Sequence, residues 1–356
     1  MSITRIDIPN SIHKFKQFYT TLDNAYLKHV DTPKDRMLAI DLIVTHDNKN
    51  VKAGIWKDNQ KIGDTNPYFE GYIPTPQQDE DIQGDIFLLY DDCGLNYAHF
   101  FFDFFGKCIY FDEIRKTNSK VKLGILEEFY QETGNSTFIK QWLDLYYQDQ
   151  DIEIVIFKKE VQYKVETLII PNSFYWFPEG YGDDYIVEKI IETVAKVPKI
   201  EVKSKGCYIS RQDTIKRGWY HGRDLVNELE LIEQIQNELG YDIVELMDYD
   251  IIGKIQIFKS YPIIVQQSSA SNINILFSNK ENTNVIISNP RMADWLNFKV
   301  SQFSEISKSN LITLEGAGEY LSEYIEPNTN QGNYPWQLTN IEGIIEVLKQ
   351  IDNGDI

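Results

Sequence analysis

Lys254–Phe277 reads KIQIFKSYPIIVQQSSASNINILF, and the way this stretch divides sets the fold. With Asp250–Gly253 before it, DIIGKIQIFK has the length and composition of a helix. Pro262–Gln267 (PIIVQQ) is a short apolar run opened by proline, a strand signal, and Ala270–Phe277 (ASNINILF) starts another helix just behind small hydroxyl-bearing residues. Helix, strand and helix in so short a span are the repeating unit of a parallel sheet. The alternation continues on both sides. GCYIS (Gly206–Ser210) reads as a strand, LVNELELIEQIQNELG (Leu225–Gly240) as a helix, YDIVEL (Tyr241–Leu246) and NVIISN (Asn284–Asn289) as strands. In the first of these helices Leu225, Leu229, Ile232 and Leu239 are expected to form one apolar stripe, with Gly240 as its stop.

A second alternation lies upstream. DIFLLY (Asp85–Tyr90), VKLGILEE (Val121–Glu128) and IEIVIF (Ile152–Phe157) read as strands, while GLNYAHFFFDFFGK (Gly94–Lys107) and STFIKQWLDLYY (Ser136–Tyr147) read as helices. PTPQQDEDIQGD (Pro74–Asp85) reads as a surface loop. The aromatic, acidic stretch SFYWFPEGYGDDY (Ser173–Tyr185) follows neither period. The expected organisation is therefore α/β with two Rossmann-like domains: residues 1–172, a crossing at 173–198, residues 199–335, and a terminal helix at 336–356 that packs back on the first domain. At 356 residues the chain exceeds the usual single-core limit, which agrees with two domains.

With 35 Lys+Arg against 54 Asp+Glu, the formal charge of -19 repels nucleic acid and anionic bilayers. Neither a leader nor a membrane-spanning run is legible, so a cytoplasmic protein is expected. Cys93, Cys108 and Cys207 are widely spaced and suggest neither a disulfide framework nor a zinc site. One segment opposes the global field. KIEVKSKGCYISRQDTIKRGWYHGR (Lys199–Arg223) carries seven basic residues against two acidic ones. Its Ser210–Arg211 falls at the carboxyl end of a strand, where parallel sheets bind ligands, and arginine suits a diphosphate. A solvated basic loop is the plainer alternative. Ser268 and Ser269, before a helix, suit an anion too, or are ordinary caps.

These segments carry a resemblance. CYISRQD, then RDLVNELEL, then KIQIFKSYPIIVQQSSASNINILF resemble the carboxyl-terminal half of family 61 glycosyltransferases, with their YISR strand end, Arg-x-x-x-Asn-Glu helix start and closing GPHGAxLxNLLF. GLNYAHFFFD is similar to that family's NYxHxxxD helix. The resemblance implies a GT-B fold whose two domains face each other across a cleft. It implies an inverting glycosyltransferase moving a sugar from a nucleotide donor, with a UDP-sugar expected, to a hydroxyl of a glycan or glycoconjugate. Neither a metal nor another cofactor is then obligatory.

Matched residue by residue, Asn96, His99 and Asp103 fall on the first motif, Arg211 on the second, Asn227 and Glu228 on the third, and Ala270 and Asn274 on the last. Gln266, Ser268 and Ser269 stand where the family has glycine, histidine and glycine, so a catalytically inactive nucleotide- or glycan-binding relative is the alternative. His99 or Asp103 is the expected base, and Arg211 the stabiliser of the departing diphosphate. A second arginine is expected at Arg217 or Arg223. Asn96, Ser210, Asn227, Ser268, Ser269, Ala270 and Asn274 complete the expected donor side, and Tyr175, Trp176 and Glu179 the acceptor side.

In an α-helix Asn96, His99 and Asp103 share an arc of roughly 60°, a polar stripe facing the cleft. The plain alternatives are an i,i+4 pair of Asp103 with Lys107 and a core hydrogen bond for His99. The triplets beginning at Asp79, Asp149 and Asp248 have the Asp-x-Asp form of metal-dependent transferases, but in so acidic a chain they are expected by chance.

Overall fold

A computed structural model describes residues 4–7, 18–30, 41–46, 49–51, 79–91, 94–97, 100–132, 137–159, 161–171, 184–212, 224–290, 301, 303–321 and 335–356. The chain forms two compact units, Met1–Lys189 and Ile190–Ile356. Among the described residues no helix is long and apolar enough to cross a membrane.

In the first unit the strands are β1 (Thr4–Asp7), β2 (Phe18–Val30), β3 (Asp41–His46), β4 (Lys49–Val51) and β5 (Asp79–Leu89). They are followed by α1 (Cys108–Thr117), β6 (Lys122–Leu126), α2 (Thr137–Tyr146), β7 (Ile154–Phe157) and β8 (Gln162–Pro171). A further helix, α3 (Asp184–Ala195), includes the boundary between the units at Lys189 and lies within the stretch 173–198 expected as the crossing. The sheet order is β4-β3-β2-β8-β5-β6-β7, with β1 also on β2. β8, β5, β6 and β7 are parallel, as the alternation requires, whereas β1 to β4 add an antiparallel half.

The acidic part of the expected loop Pro74–Asp85 is strand. β5 begins at Asp79 and pairs with β8 through a register shift between Ile82 and Asp85. Gly84 takes φ +91° there, a conformation open to glycine, and its N–H donates to Glu166 Oε2 at 2.7 Å. The bulge lets the exposed polar half remain paired while Ile86–Tyr90 is buried.

The phenylalanine-rich segment is not a regular α-helix. Phe100–Phe104 winds as a π turn and Phe105–Lys107 as a 3₁₀ turn before α1 begins. Phe100, Phe101, Phe104 and Phe105 are all fully buried. Phe101 meets Trp142 at 4.9 Å between ring centroids, Phe105 meets Tyr146 at 4.8 Å and Phe104 meets Phe129 at 4.9 Å. Hydrogen bonding from i to i+5 widens the turn, so the 3.6-residue spacing behind the expected Asn96-His99-Asp103 stripe does not hold through this segment.

Asp112, on α1, sits among these rings. Burial raises its carboxyl from 3.8 to about 6, against the opposing effects of the hydrogen bond donated by Tyr146 and the nearby Arg115 and Lys189. The folded carboxyl therefore holds its proton more tightly than the unfolded one. Its contribution to stability is present below about pH 4 and is lost as pH rises through about 6, a loss on the order of 3 kcal/mol. Asp112→Asn carries no proton to lose. The variant should gain on the wild type in melting temperature between pH 4 and pH 7.5, and a gap that stayed constant across that interval would refute the assignment.

The second unit contains β9 (Gly206–Ser210), α4 (Glu228–Leu239), β10 (Asp242–Glu245), α5 (Ile251–Ser260), β11 (Ile263–Gln267) and β12 (Thr283–Ile287). After these come β13 (Asn310–Leu314), β14 (Gly318–Tyr320), β15 (Trp336–Leu338) and α6 (Ile341–Asn353). The main sheet runs β10-β9-β11-β12-β13, entirely parallel. Ala270–Phe277 is a 3₁₀ rather than an α-helix. Asn272–Phe277 is buried without interruption and contains the β-branched Ile273 and Ile275, so packing rather than intrinsic preference sets its winding.

The stripe expected on the first helix of this unit holds only in part: Ile232 and Leu239 pack, partly buried, against the core. On α4 the buried residues are Glu228, Leu231 and Ile235, while Leu229 is 65% exposed. The helix begins only at Glu228, so Leu225 lies outside it and cannot set its stripe. Leu225 instead bridges Trp336. The terminal helix α6, expected to pack back on the first domain, lies within the second unit. Its face Ile341, Ile344, Ile345, Leu348 and Ile351 shares one core with Tyr208, Leu231, Val265 and Val285. That sheet face needs a covering layer, and α4 and α6 together supply it.

Candidate active site

β9 and β11 are neighbours, and their register pairs Ile209 with Gln266. Ser210–Arg211 and Gln267–Ser268 are thereby brought to the same carboxyl edge of the sheet, as the sequence led us to expect for two strand ends. What joins them is Glu228, the first residue of α4. It is 1% exposed, and its carboxylate accepts four hydrogen bonds. Oε1 takes the Tyr208 hydroxyl at 3.0 Å, the Arg211 backbone N–H at 2.9 Å and Gln267 Nε2 at 3.1 Å. Oε2 takes Gln212 Nε2 at 2.8 Å. With four donors from both strand ends gathered on it, this carboxylate serves as a clasp. Burial and the adjacent Glu228 push the Tyr208 phenol well above its ordinary range, with the Arg211 guanidinium pulling the other way. Tyr208 therefore remains a donor.

Glu228 was legible only as part of the Asn-Glu helix start, and Gln267 was not singled out at all. An acidic residue in a first helical turn ordinarily complements the helix dipole in solvent. Nothing local announces that this one is buried.

The described basic residues of Lys199–Arg223 do not gather at one edge of the sheet. Lys199, Lys203 and Lys205 precede β9 whereas Arg211 follows it, at the other end of a strand roughly 16 Å long. Lys199 pairs with Glu281, and Lys205 with Asp352 at 3.2 Å, on the surface. Arg217 and Arg223 lie outside the described residues.

Other expected donor residues are engaged within the protein. Asn227 makes a two-way bond with Leu338: its Nδ2 donates to the Leu338 carbonyl at 3.0 Å, and its Oδ1 accepts the Leu338 N–H at 2.9 Å. It holds β15 beside α4. Asn274 is fully buried. The Ser268 hydroxyl donates to the Ile287 carbonyl at 3.4 Å and accepts from the Asn289 N–H at 3.2 Å. Ser269 caps the 3₁₀ helix, accepting from the Ser271 N–H at 3.3 Å while its own N–H donates to Asn272 Oδ1 at 2.7 Å. Here the plain capping account holds. Ala270 is exposed, Ser210 is buried, and its hydroxyl accepts from the Gln212 N–H at 3.1 Å. Gln266, at the departure from the family motif, is 1% exposed, and neither polar atom of its side chain meets a partner among the described residues.

In the first unit Asn96 is half-buried, and its carbonyl accepts from the Phe100 N–H at 2.9 Å. His99, Tyr175, Trp176 and Glu179 lie outside the described residues, as does the side chain of Asp103, whose backbone belongs to the π turn. Of the acidic triplets, Asp250 caps α5 by accepting the Gly253 N–H at 2.7 Å, and Asp149 and Asp151 lie exposed. Among the described residues no group of three or more His, Cys, Asp or Glu side chains could hold a metal ion.

The family model Glycosyltransferase 61 matches residues 97–286, more than half of the chain, from just before the π turn into β12. The chain belongs to the glycosyltransferase 61 family. No curated protein matched its sequence. Arg211, Glu228 and the Gln266–Ser269 strand end all fall inside the matched span, so the clasped edge of the second unit belongs to the family's own region. The two α/β units, one with a parallel half to its sheet and the other with a parallel main sheet, are consistent with the pair of Rossmann-like domains of GT-B enzymes.

Proposed function

We propose that this glycosyltransferase is inverting and moves a sugar from a UDP-sugar to a hydroxyl of a glycan or glycoconjugate, with the donor diphosphate held at Arg211. The observation that carries this reading is the meeting of the β9 and β11 ends under the Glu228 clasp. It fixes the Arg211 backbone through a 2.9 Å bond, at the sheet edge where ligands of such folds gather. In the reaction the acceptor hydroxyl gives its proton to His99 or Asp103. Its oxygen bonds to the anomeric carbon, and the carbon–oxygen bond to the diphosphate breaks with its electron pair. Arg211 holds the developing charge with paired N–H groups, so no metal is needed. Tyr175, Trp176 and Glu179 offer the aromatic faces and carboxylate suited to acceptor hydroxyls.

Ser268 favours a second reading, an inactive nucleotide- or glycan-binding relative. It replaces a charge-bearing histidine, and its hydroxyl is already bonded to Ile287 and Asn289. Incubation with a panel of nucleotide sugars, following UDP release with and without chelator, separates the two. Release from a UDP-sugar that persists in chelator is expected. Binding of UDP by calorimetry without turnover of any donor would leave the binder, and turnover abolished by chelator would remove the metal-free mechanism.

A further inference from the structure

Lys107 is fully buried. Its ammonium donates to Asp91 Oδ2 at 2.8 Å and to the Tyr90 carbonyl oxygen, and Asp91 is itself 1% exposed. Tyr90 and Asp91 directly follow β5, at the carboxyl edge of the first unit's parallel strands. Lys107 ends the 3₁₀ turn that leads into α1. The contact closes the chain between them into a loop, and that loop contains Asn96, His99 and Asp103. Within it the Gly94 N–H donates to the Asp91 carbonyl at 3.1 Å, and a Cβ on Gly94 would come within 2.7 Å of the Phe104 ring. The loop is braced at both ends, with a π turn between, a winding that is rare and recurs at functional sites.

Stability gives little reason for such a pair. Burying two ions costs desolvation that their attraction often fails to offset, and apolar replacements of similar volume are often neutral or better. The chain on either side of the pair is already apolar and buried: Leu89 and Tyr90 precede Asp91, and Phe104, Phe105 and Cys108 flank Lys107. What the pair provides is a defined geometry between the end of β5 and the start of α1. We propose that Lys107 is a positioning residue which, through Asp91 and the Tyr90 carbonyl, sets the π turn Phe100–Phe104, on which Asp103 lies, for the chemical step and leaves donor binding on the second unit untouched. This rests on the proposed function.

The test compares wild type with Asp91→Asn/Lys107→Met, which removes both charges together and so leaves no lone buried ion. Turnover, donor KM, UDP affinity by calorimetry and melting temperature are measured. A displacement of about 1 Å in a catalytic segment can cost on the order of 10²-fold, so kcat should fall by ~10–100-fold. Donor KM and UDP affinity should stay within about twofold, the split that marks an interaction made only in the transition state. Wild-type kcat in the double variant would overturn the proposal. So would a loss of kcat matched by an equal loss of UDP affinity, which is what a purely structural defect produces. Hydrogen exchange provides a readout that needs no turnover: the amides of Phe100–Lys107 should lose protection while those of β9 and β11 keep it. Unchanged protection throughout would overturn the proposal, whereas a wild type that turns over no donor counts against the proposed function alone.

Discussion

Arg211→Ala should lower kcat by about 10²–10³-fold and weaken UDP binding while leaving the melting temperature nearly unchanged. Loss of one preorganised donor to a developing negative charge has costs of this order. The fold should survive because Arg211 contributes its backbone, not its side chain, to the Glu228 clasp, and its side chain is only half-buried. Arg211→Lys tests the chemistry more finely. It restores the charge but not the planar fork, so only a minor part of the lost rate should return. Steady-state kinetics with the accepted UDP-sugar and calorimetry with UDP decide the matter. An alanine variant with wild-type kcat/KM would remove Arg211 from the mechanism.

Glu228→Ala should be the most destabilising single change at this edge. It leaves the Tyr208 hydroxyl and Gln267 Nε2 without their acceptor, and these residues are 0% and 1% exposed. The Arg211 N–H and Gln212 Nε2 are half-buried and can turn to water. With buried unmet donors at roughly 1–3 kcal/mol each, a loss of about 3–5 kcal/mol is expected. For a unit of this size that lowers the melting temperature by on the order of 10 °C. Glu228→Gln should retain most of it. One oxygen still serves Tyr208 and Arg211, and the new amide N–H groups can meet Gln267 Oε1, which has no partner among the described residues. Thermal melts of the three proteins are sufficient, and an alanine variant melting within a degree or two of wild type would contradict the clasp.

Both predictions rest on residues of unequal legibility. Arg211 stands out because a strand signal, GCYIS, runs straight into it, and strand ends can be located from a few neighbours. Glu228 could not be placed in this way. Its acceptor role needs Tyr208 and Gln267, twenty residues before it and thirty-nine after it in the chain. Asn227 shows the reverse case. Its position in a familiar helix start suggested a ligand, but the partner it takes is Leu338, 111 residues away. Lys199, Lys203 and Lys205 looked like neighbours of Arg211 because they are close in sequence, yet a strand between them carries the chain from one end of the sheet to the other.

Sequence by itself determined the alternation of strand and helix, the parallel strands of each unit though not the antiparallel half of the first, the strand end at Arg211, the helix Ile251–Ser260 to within a residue at each end, and the family. These depend on periodicity, turn residues and motifs, which are properties of adjacent residues. The tertiary structure alone decided that Glu228 and Lys107 are buried and what they bond. It also decided that Leu229 faces water, that Phe100–Phe104 winds as a π turn, and that α6 covers the second sheet. The physical reason is that burial and hydrogen-bond pairing are set by which distant segment arrives to cover a residue, and no local pattern carries that information.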